Sequence, residues 1–270
     1  IISMSNWKWL FILEGVVSLL VLIPWLLLVS DRPETAKWLD KRERDYITGK
    51  LEEEKESLSQ GPKQIASLKE VLRNGTMIKL IVLNFCYQCG IYGFGLWLPS
   101  LLKNLTHSGM NQIGWLSALP YVGCAIGMLF VAQVSDKTGR RKPFIVIPLI
   151  GFALCLLLSV KLSSMIWVSY AFLVGCGFFL QAAAGVFWTI PPRLFSPEVA
   201  GGARGVINGI GNLGGFAGPY LVGLLIQMYN YDVGIYGLVV LLVVGAALTI
   251  SLPSSIDEEV KTEQTAPATH

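Results

Sequence analysis

The sequence has little charge. Only 14% of its 270 residues are Asp, Glu, Lys or Arg, whereas 53% are hydrophobic, and the mean hydropathy is +0.57. A water-soluble domain of this size needs a more polar surface, so the composition favours a membrane as the solvent. The small net charge of +3 gives no reason to expect a nucleic-acid partner.

Residues that carry out covalent chemistry are also scarce. The chain has two His, and Glu14 is the one acid well inside an apolar stretch. Neither paired carboxylates, nor a metal-ligand cluster, nor a nucleophile beside a base is visible in the sequence. The five Cys are odd in number and all lie in apolar stretches, so they suggest no disulfide framework. We therefore expect no enzymatic activity, no cofactor and no metal site.

Seven stretches are long and apolar enough to cross a bilayer, whose hydrocarbon core needs about 20 apolar residues per helix. They are 9–29, 77–101, 113–134, 143–160, 164–190, 203–228 and 232–252. The sequence therefore predicts an all-α fold, a polytopic membrane helical bundle with seven transmembrane helices. The chain does not begin with Met and enters its first span almost at once, which favours a fragment of a longer protein.

The distribution of cations predicts the orientation, because Lys and Arg in short loops are retained on the cytoplasmic side. If the amino-terminal end is outside, only three of the 21 Lys and Arg residues lie outside, and all the others lie inside. Those three are Lys8, Lys103 and Lys161. We expect a multi-pass plasma-membrane protein with its carboxyl terminus in the cytoplasm.

Charge is concentrated between the first two spans. Residues 31–75 mix acids and bases with apolar residues at helical spacing, which predicts a cytoplasmic linker with amphipathic helices, the first starting near Pro33. Its charges are interpreted as a solvated face, with a binding surface as the alternative. Residues 1–30 are then one transmembrane helix, residues 76–253 a six-helix bundle and residues 254–270 a disordered cytoplasmic tail.

Polar side chains inside the spans are candidate binding residues, because each costs free energy in hydrocarbon unless it faces a partner or a water-filled cavity. They recur at helical spacing on three spans. The candidates are Asn84, Tyr87, Gln88 and Tyr92 on the second span, Trp188 on the fifth, and Asn208 and Asn212 on the sixth. Interhelical hydrogen bonds would explain each group. Together they also fit an uncharged, donor-rich cavity for a polar or anionic solute.

The sequence GIGNLG at 209–214 matches the dinucleotide-binding fingerprint G-x-G-x-x-G. That fingerprint needs a preceding strand and a phosphate site in water, whereas this match lies inside an apolar span. Small residues spaced by four let helix backbones approach closely in lipid. We therefore interpret this motif as a helix-packing or flexing element.

Several motifs in combination resemble the major facilitator superfamily. They are NWKWLFILEG (6–15), SDRPETAKWL (30–39), SDKTGRRKP (135–143), and FWTIPPRLF followed by INGIGNLGGFAGP (187–219). The nearest resemblance is to its anion:cation symporter family, which includes sugar-acid, tartrate and phthalate transporters. The resemblance implies that the seven spans correspond to helices 6–12 of a twelve-helix fold, and that most of the amino-terminal six-helix half is missing.

The resemblance also implies a function. The expected activity is secondary active transport of a small organic anion, a sugar acid or related carboxylate, in symport with a proton by alternating access. The family's cavity residues map onto Tyr87, Gln88, Trp188 and Asn208. Tyr87 stands where vesicular relatives have an arginine, which leaves direct charge pairing in this half open. The coupling carboxylates are expected in the missing half, and the other partner is the lipid bilayer.

The cluster SDKTGRRKP is expected to control which way the transporter faces. Its gating residues are Asp136, Lys137, Gly139, Arg140 and Arg141. Asp136 is expected to pair with Arg140 or with a helix N-terminus, whose partial positive charge favours a carboxylate.

The alternative function is a seven-span membrane receptor or sensor. A rhodopsin-like receptor would show an acidic-Arg pair at the end of its third span and N-P-x-x-Y near its last, and the sequence has neither.

Overall fold

The computed structural model describes residues 6–36, 38–60 and 68–258. The chain divides into two compact units, residues 1–62 and residues 63–270. The described residues form thirteen α-helices and one short 3-10 turn. Each unit is built from helices whose length and polarity follow from the sequence.

The first unit contains helices α1, Asn6–Leu28, and α2, Lys41–Gln60. The window Phe11–Leu28 has a mean hydropathy of 2.4, and its side chains are exposed on every side. A helix that is apolar all round needs lipid or other helices as its surroundings. α1 is therefore long and apolar enough to be the first of the predicted spans.

α2 begins later than we expected. Pro33–Thr35 forms only a 3-10 turn, and the α-helix starts at Lys41. Asp40 caps it: its Oδ1 accepts from the Lys41 N–H at 2.7 Å, and the Asp40 N–H donates to Glu43 Oε2 at 3.2 Å. The prediction of a start near Pro33 was wrong because Asp-x-x-Glu, a strong helix-start signal, lies seven residues further on.

The second unit is a helical bundle. In chain order its helices are α3 (Leu68–Arg73), α4 (Gly75–Thr106), α5 (Met110–Thr138), α6 (Pro143–Lys161), α7 (Ile166–Leu180), α8 (Ala184–Phe187), α9 (Pro191–Leu194), α10 (Pro197–Gly211), α11 (Gly214–Met228), α12 (Tyr231–Ile250) and α13 (Ser255–Glu258). Six helical stretches of this unit are long and apolar enough to cross a membrane, and α1 is the seventh.

Two of these stretches are interrupted. The fifth predicted span breaks between Leu180, the last residue of α7, and Ala184, the first of α8. The sixth breaks at Asn212, between α10 and α11. Interruptions free backbone carbonyls from helical hydrogen bonding, and membrane helices tolerate them where other groups supply new partners. Both breaks lie beside polar side chains that the sequence marked as candidates.

The core lies between α4, α6, α7, α10, α11 and α12. α4 packs against α10, α11 and α12, whereas α6 packs against α7 and α12, and α5 against α7. Phe94 of α4 and Phe152 of α6 are fully buried and meet edge to face, with ring centroids 5.6 Å apart. Such aromatic pairs add about 0.5–1.5 kcal/mol beyond area burial.

Glycines let α11 lie directly on α4. A Cβ on Gly214 would overlap the Phe85 carbonyl oxygen, and one on Gly218 would come within 2.7 Å of the Cys89 Cα. No side chain fits at either position without moving a backbone. The structure thus supports the helix-packing interpretation of the glycine-rich motif around 209–218.

Two expected boundaries differ from the structure. α3, which we placed in the linker 31–75, belongs to the second unit, where Val71 is fully buried. The first residues of the expected disordered tail 254–270 form α13, and Ile256 is only 1% exposed. Burial of one apolar residue on each short helix explains why they are ordered. Residues 259–270 lie outside the described residues.

Candidate functional site

A chain of side-chain hydrogen bonds joins α4 to the break between α10 and α11. Gln88 Nε2 donates to Asn212 Oδ1 at 2.9 Å, and Asn212 Nδ2 donates to Asn208 Oδ1 at 2.8 Å. Gln88 is half-buried, whereas both asparagines are exposed. We call Gln88, Tyr92, Asn208 and Asn212 the polar face. Their donors and acceptors are therefore available at the surface of an otherwise apolar bundle.

Helical spacing explains why these residues meet. Asn208 and Asn212 are four residues apart on α10 and its last turn, and Gln88 and Tyr92 are four apart on α4, so each pair shares one helical face. The close approach of α11 to α4 brings the pairs together, and the Tyr92 ring lies within 3.3 Å of where a Cβ on Gly215 would stand.

Asn84 and Tyr87 lie behind the polar face. They are only 3% and 5% exposed, and both bond to backbone carbonyls of other helices. Asn84 Nδ2 donates to the Ile207 carbonyl at 3.0 Å, and the Tyr87 hydroxyl donates to the Leu180 carbonyl, freed by the break after α7, at 2.8 Å. This geometry fits the interhelical hydrogen-bonding alternative, and substrate contact by these two residues stays a prediction.

A cavity of about 410 Å³ opens beside the polar face. It is lined by Trp188, Arg204, Gly205 and Asn208. The structure thus brings Trp188 next to Asn208, as their assignment to one site requires. The volume lies within the range of about 300–1,000 Å³ that is usual for small-molecule sites.

Two lining residues, Arg204 and Gly205, were not among the predicted site residues, and Arg204 was missed because it was counted among the loop cations. Its spacing was the available signal: it precedes Asn208 by four residues and Asn212 by eight, so all three share one face of α10. Arg204 Nη2 donates to the Trp188 carbonyl oxygen at 2.6 Å. The cavity therefore contains a cation as well as amides.

The cluster 135–143 forms an ion pair different from the expected one. Asp136 Oδ1 lies 2.6 Å from Arg141 Nη1, and not beside Arg140. α5 ends at Thr138, its C-cap Gly139 has a left-handed φ of 66°, and the chain then turns so that Arg141 comes back to the helix end. Lys137 and Arg140 are exposed. The prediction of an Asp136–Arg140 pair was wrong because the turn at Gly139 changes which arginine is in reach.

A carboxylate does lie at a helix N-terminus here, but it belongs to Asp257. Asp257 Oδ1 accepts from the backbone N–H groups of Arg141 and Lys142, at 2.6 and 3.1 Å, at the start of α6. Asp136 does not fill this role, which corrects the other half of that expectation. The carboxylate satisfies two N–H groups that a helix start leaves free.

Three cations also bind the segment that follows α12. The Lys79, Lys142 and Arg193 side chains donate to the carbonyls of Ser251, Leu252 and Ile256, at 2.8, 2.6 and 3.1 Å. Together with Asp136 and Arg141, these residues gather at one end of the bundle, which we call the charged end. Cations suit the last carbonyls of a helix, because the helix dipole is negative there.

The part of the chain that the structure describes contains no group of three or more His, Cys, Asp or Glu side chains that could hold a metal ion. The expectations of no metal and no cofactor stay predictions.

The fold and the comparisons define the class of protein. Seven apolar helices and a bundle with two interrupted spans are features of a multi-pass membrane protein. The family model described as Major Facilitator Superfamily matches residues 1–111 and 80–269. The chain belongs to this superfamily, which confirms the predicted all-α membrane bundle and the resemblance stated above.

Curated relatives are transporters. The chain is 28% identical over 260 residues to the quinolone resistance transporter of Acinetobacter baumannii, covering 96% of this chain and 59% of the relative. It is 28% identical over 265 residues to a putative tartrate transporter of Agrobacterium vitis, and the match covers 97% of this chain and 58% of that relative. It is 27% identical over 249 residues to the inner membrane transport protein RhmT of Escherichia coli, and the match covers 92% of this chain and 56% of that relative. The chain thus spans less than three fifths of these relatives' length.

Proposed function

We propose that this chain is the carboxyl-terminal part of a secondary transporter that moves a small organic anion, a sugar acid or related carboxylate, across the plasma membrane. The polar face carries this proposal: the hydrogen-bonded amides of half-buried Gln88 and of exposed Asn208 and Asn212 stand beside a cavity of about 410 Å³ in an apolar bundle. Exposed amides inside a membrane span are costly unless they meet a polar solute or water. Two relatives named as putative tartrate transporters agree with a hydroxylated carboxylate as the substrate.

The proposed mechanism is alternating access. The second unit rocks against a second six-helix half, and the substrate lies between the halves near the bilayer midplane. The breaks after Leu180 and at Asn212 give the spans beside the cavity points at which to bend. The charged end holds one side of the bundle together in this conformation. Its Lys and Arg residues favour the cytoplasm for that side, with the amino-terminal end of the chain outside.

We propose a proton as the coupling ion, bound outside the six spans of the second unit. Between residues 75 and 250 the acids are Asp136 in the last turn of α5, Glu198 in the first turn of α10 and Asp232 in the first turn of α12. A proton relay coupled to the substrate needs a titratable group within the membrane, near the cavity. These three positions are at helix ends, so the coupling carboxylates belong to the partner half.

The receptor or sensor alternative is not favoured. The relatives described above are transporters by name, and each covers more than nine tenths of this chain.

Uptake into proteoliposomes tests the proposal. The intact gene product that contains this chain is purified, reconstituted and assayed with radiolabelled tartrate under an imposed proton gradient. We expect saturable uptake that other small hydroxy acids inhibit and the neutral tetrol erythritol does not. Asn208→Ala should raise the KM, whereas Asn111→Ala, which removes an exposed amide at the start of α5, should not. Absence of carboxylate uptake would contradict the function, and an unchanged KM in Asn208→Ala would contradict the site.

A further inference from the structure

We propose that Arg204 is the cationic contact for the substrate carboxylate, in an anion subsite formed with Asn208 and Trp188. This inference rests on the proposed function and deepens it, because it names the group that selects an anion over a neutral solute. It assigns a binding role to a residue whose charge, from the sequence alone, indicates only membrane orientation.

The position of Arg204 on α10 favours this role. Residues four apart on an α-helix lie about 6 Å apart along its axis on the same face. Arg204 is thus one turn from Asn208, which is one turn from Asn212, and all three are exposed. Gly205 and Gly209 on the same helix have open space where a Cβ would stand. A small solute in the cavity can therefore reach the guanidinium and the amides at once.

The guanidinium is held in place by the backbone of the neighbouring span. In a helix the Trp188 carbonyl would accept from residue 191 or 192, but both are proline and have no N–H. Arg204 Nη2 supplies the missing donor at 2.6 Å. This contact fixes the long side chain in the cavity, so less rotamer freedom is lost when a ligand binds.

Most of the hydrogen-bonding capacity of Arg204 stays available. A guanidinium has five N–H donors, and a carboxylate can take two of them side by side. The ion pairs found among the described side chains are Lys50–Glu53 and Arg141–Asp136, so none of them neutralises Arg204. Its neighbours in the cavity lining, Trp188, Gly205 and Asn208, are uncharged, so Arg204 gives the cavity a positive potential that attracts anions.

The competing explanation is that Arg204 serves only as a cap for the Trp188 carbonyl. Two substitutions separate the roles. Arg204→Gln keeps an N–H donor for the carbonyl but removes the charge, whereas Arg204→Lys keeps the charge but loses the paired donors. If Arg204 only caps the carbonyl, both variants should lose stability and neither should change the preference for a carboxylate over a neutral solute. A substrate role predicts that the two variants differ in their KM for a carboxylate.

The experiment measures tartrate uptake by the reconstituted intact gene product, with inhibition by lactate and by erythritol. Arg204→Gln should raise the KM about tenfold to a hundredfold, as expected for loss of a charge-assisted hydrogen bond, and should reduce the preference for lactate over erythritol. Arg204→Lys should have a smaller effect. The control Lys103→Gln, an exposed cation in the last turn of α4, should leave the KM unchanged.

The outcomes distinguish this inference from the proposed function. In one outcome, the wild type takes up a carboxylate while Arg204→Gln keeps the same KM and the same selectivity. That result overturns the role of Arg204 and leaves the proposed function standing. A wild-type protein that takes up no carboxylate overturns both. If Arg204→Gln fails to insert, Arg204→Lys carries the test: a several-fold increase in KM supports the inference, and a wild-type KM overturns it.

Discussion

Replacing Gly127 with alanine tests how closely α5 and α7 approach. A Cβ on Gly127 would overlap the carbonyl oxygen of Phe178 and would lie 2.8 Å from its carbonyl carbon. From the other side, a Cβ on Gly177 would lie 2.6 Å from the Pro120 Cα. The obstructing atoms are backbone, which a rotamer change cannot move away. The two helices must therefore separate to accommodate the methyl group.

The expected magnitude follows from two opposing terms. Alanine in place of glycine within a helix contributes about 1 kcal/mol of stability through backbone propensity. Overpacking a close contact costs about 1–3 kcal/mol, so the balance is destabilising by up to about 2 kcal/mol. Gly114→Ala on the same helix is the matched control, because a Cβ there meets nothing within 4 Å. That variant should be as stable as the wild type or more so.

Thiol labelling on heating measures this difference. With the partly exposed Cys124 and Cys155 replaced by alanine, a maleimide that fluoresces on reaction reports the unfolding of the bundle, because Cys89 and Cys176 have no exposed surface. We expect Gly127→Ala to label at a lower temperature than the wild type in detergent. A Gly127→Ala protein as stable as Gly114→Ala would refute the reasoning from backbone contact.

The remaining predictions concern two polar contacts. Asp257→Asn weakens the acceptor for the Arg141 and Lys142 N–H groups and should cost about 1 kcal/mol of stability. The same thiol labelling on heating measures this loss, and a variant that labels at the wild-type temperature would contradict the capping role. Tyr87→Phe leaves the Leu180 carbonyl without its side-chain donor and should cost about 1–3 kcal/mol of stability. A raised KM with unchanged stability would instead assign Tyr87 to the substrate.

The spans were predictable from sequence because their signal is local. Twenty or so apolar residues in a row identify a membrane helix whatever its neighbours are, and the structure has a helical stretch at each of the seven predicted positions. The break at Asn212 was not predictable in this way. At this break the Asn212 side chain accepts from Gln88, which lies 124 residues away in the chain, and such a contact has no local sequence signature.

The candidate site was predicted in part for the same reason. Helical spacing identified Asn208 and Asn212, but it could not distinguish half-buried Gln88 from fully buried Asn84 on the neighbouring helix, because both carry amides. Arg204 was missed because a cation near a span boundary has the same sequence signature in a loop and in a cavity. Asp257 was missed because a helix cap supplied from 116 residues away leaves no local pattern.

Substrate protection of a cysteine at position 212 is the most direct test of the claim that the polar face binds the anion. Asn212→Cys is made in the intact gene product with Cys124 and Cys155, the two partly exposed thiols, replaced by alanine. We predict that tartrate slows maleimide alkylation at position 212, with half-protection near the KM for uptake, and that erythritol does not. Gly114→Cys serves as the unprotected control. Equal alkylation rates with and without tartrate, in a protein that transports tartrate, would contradict the account.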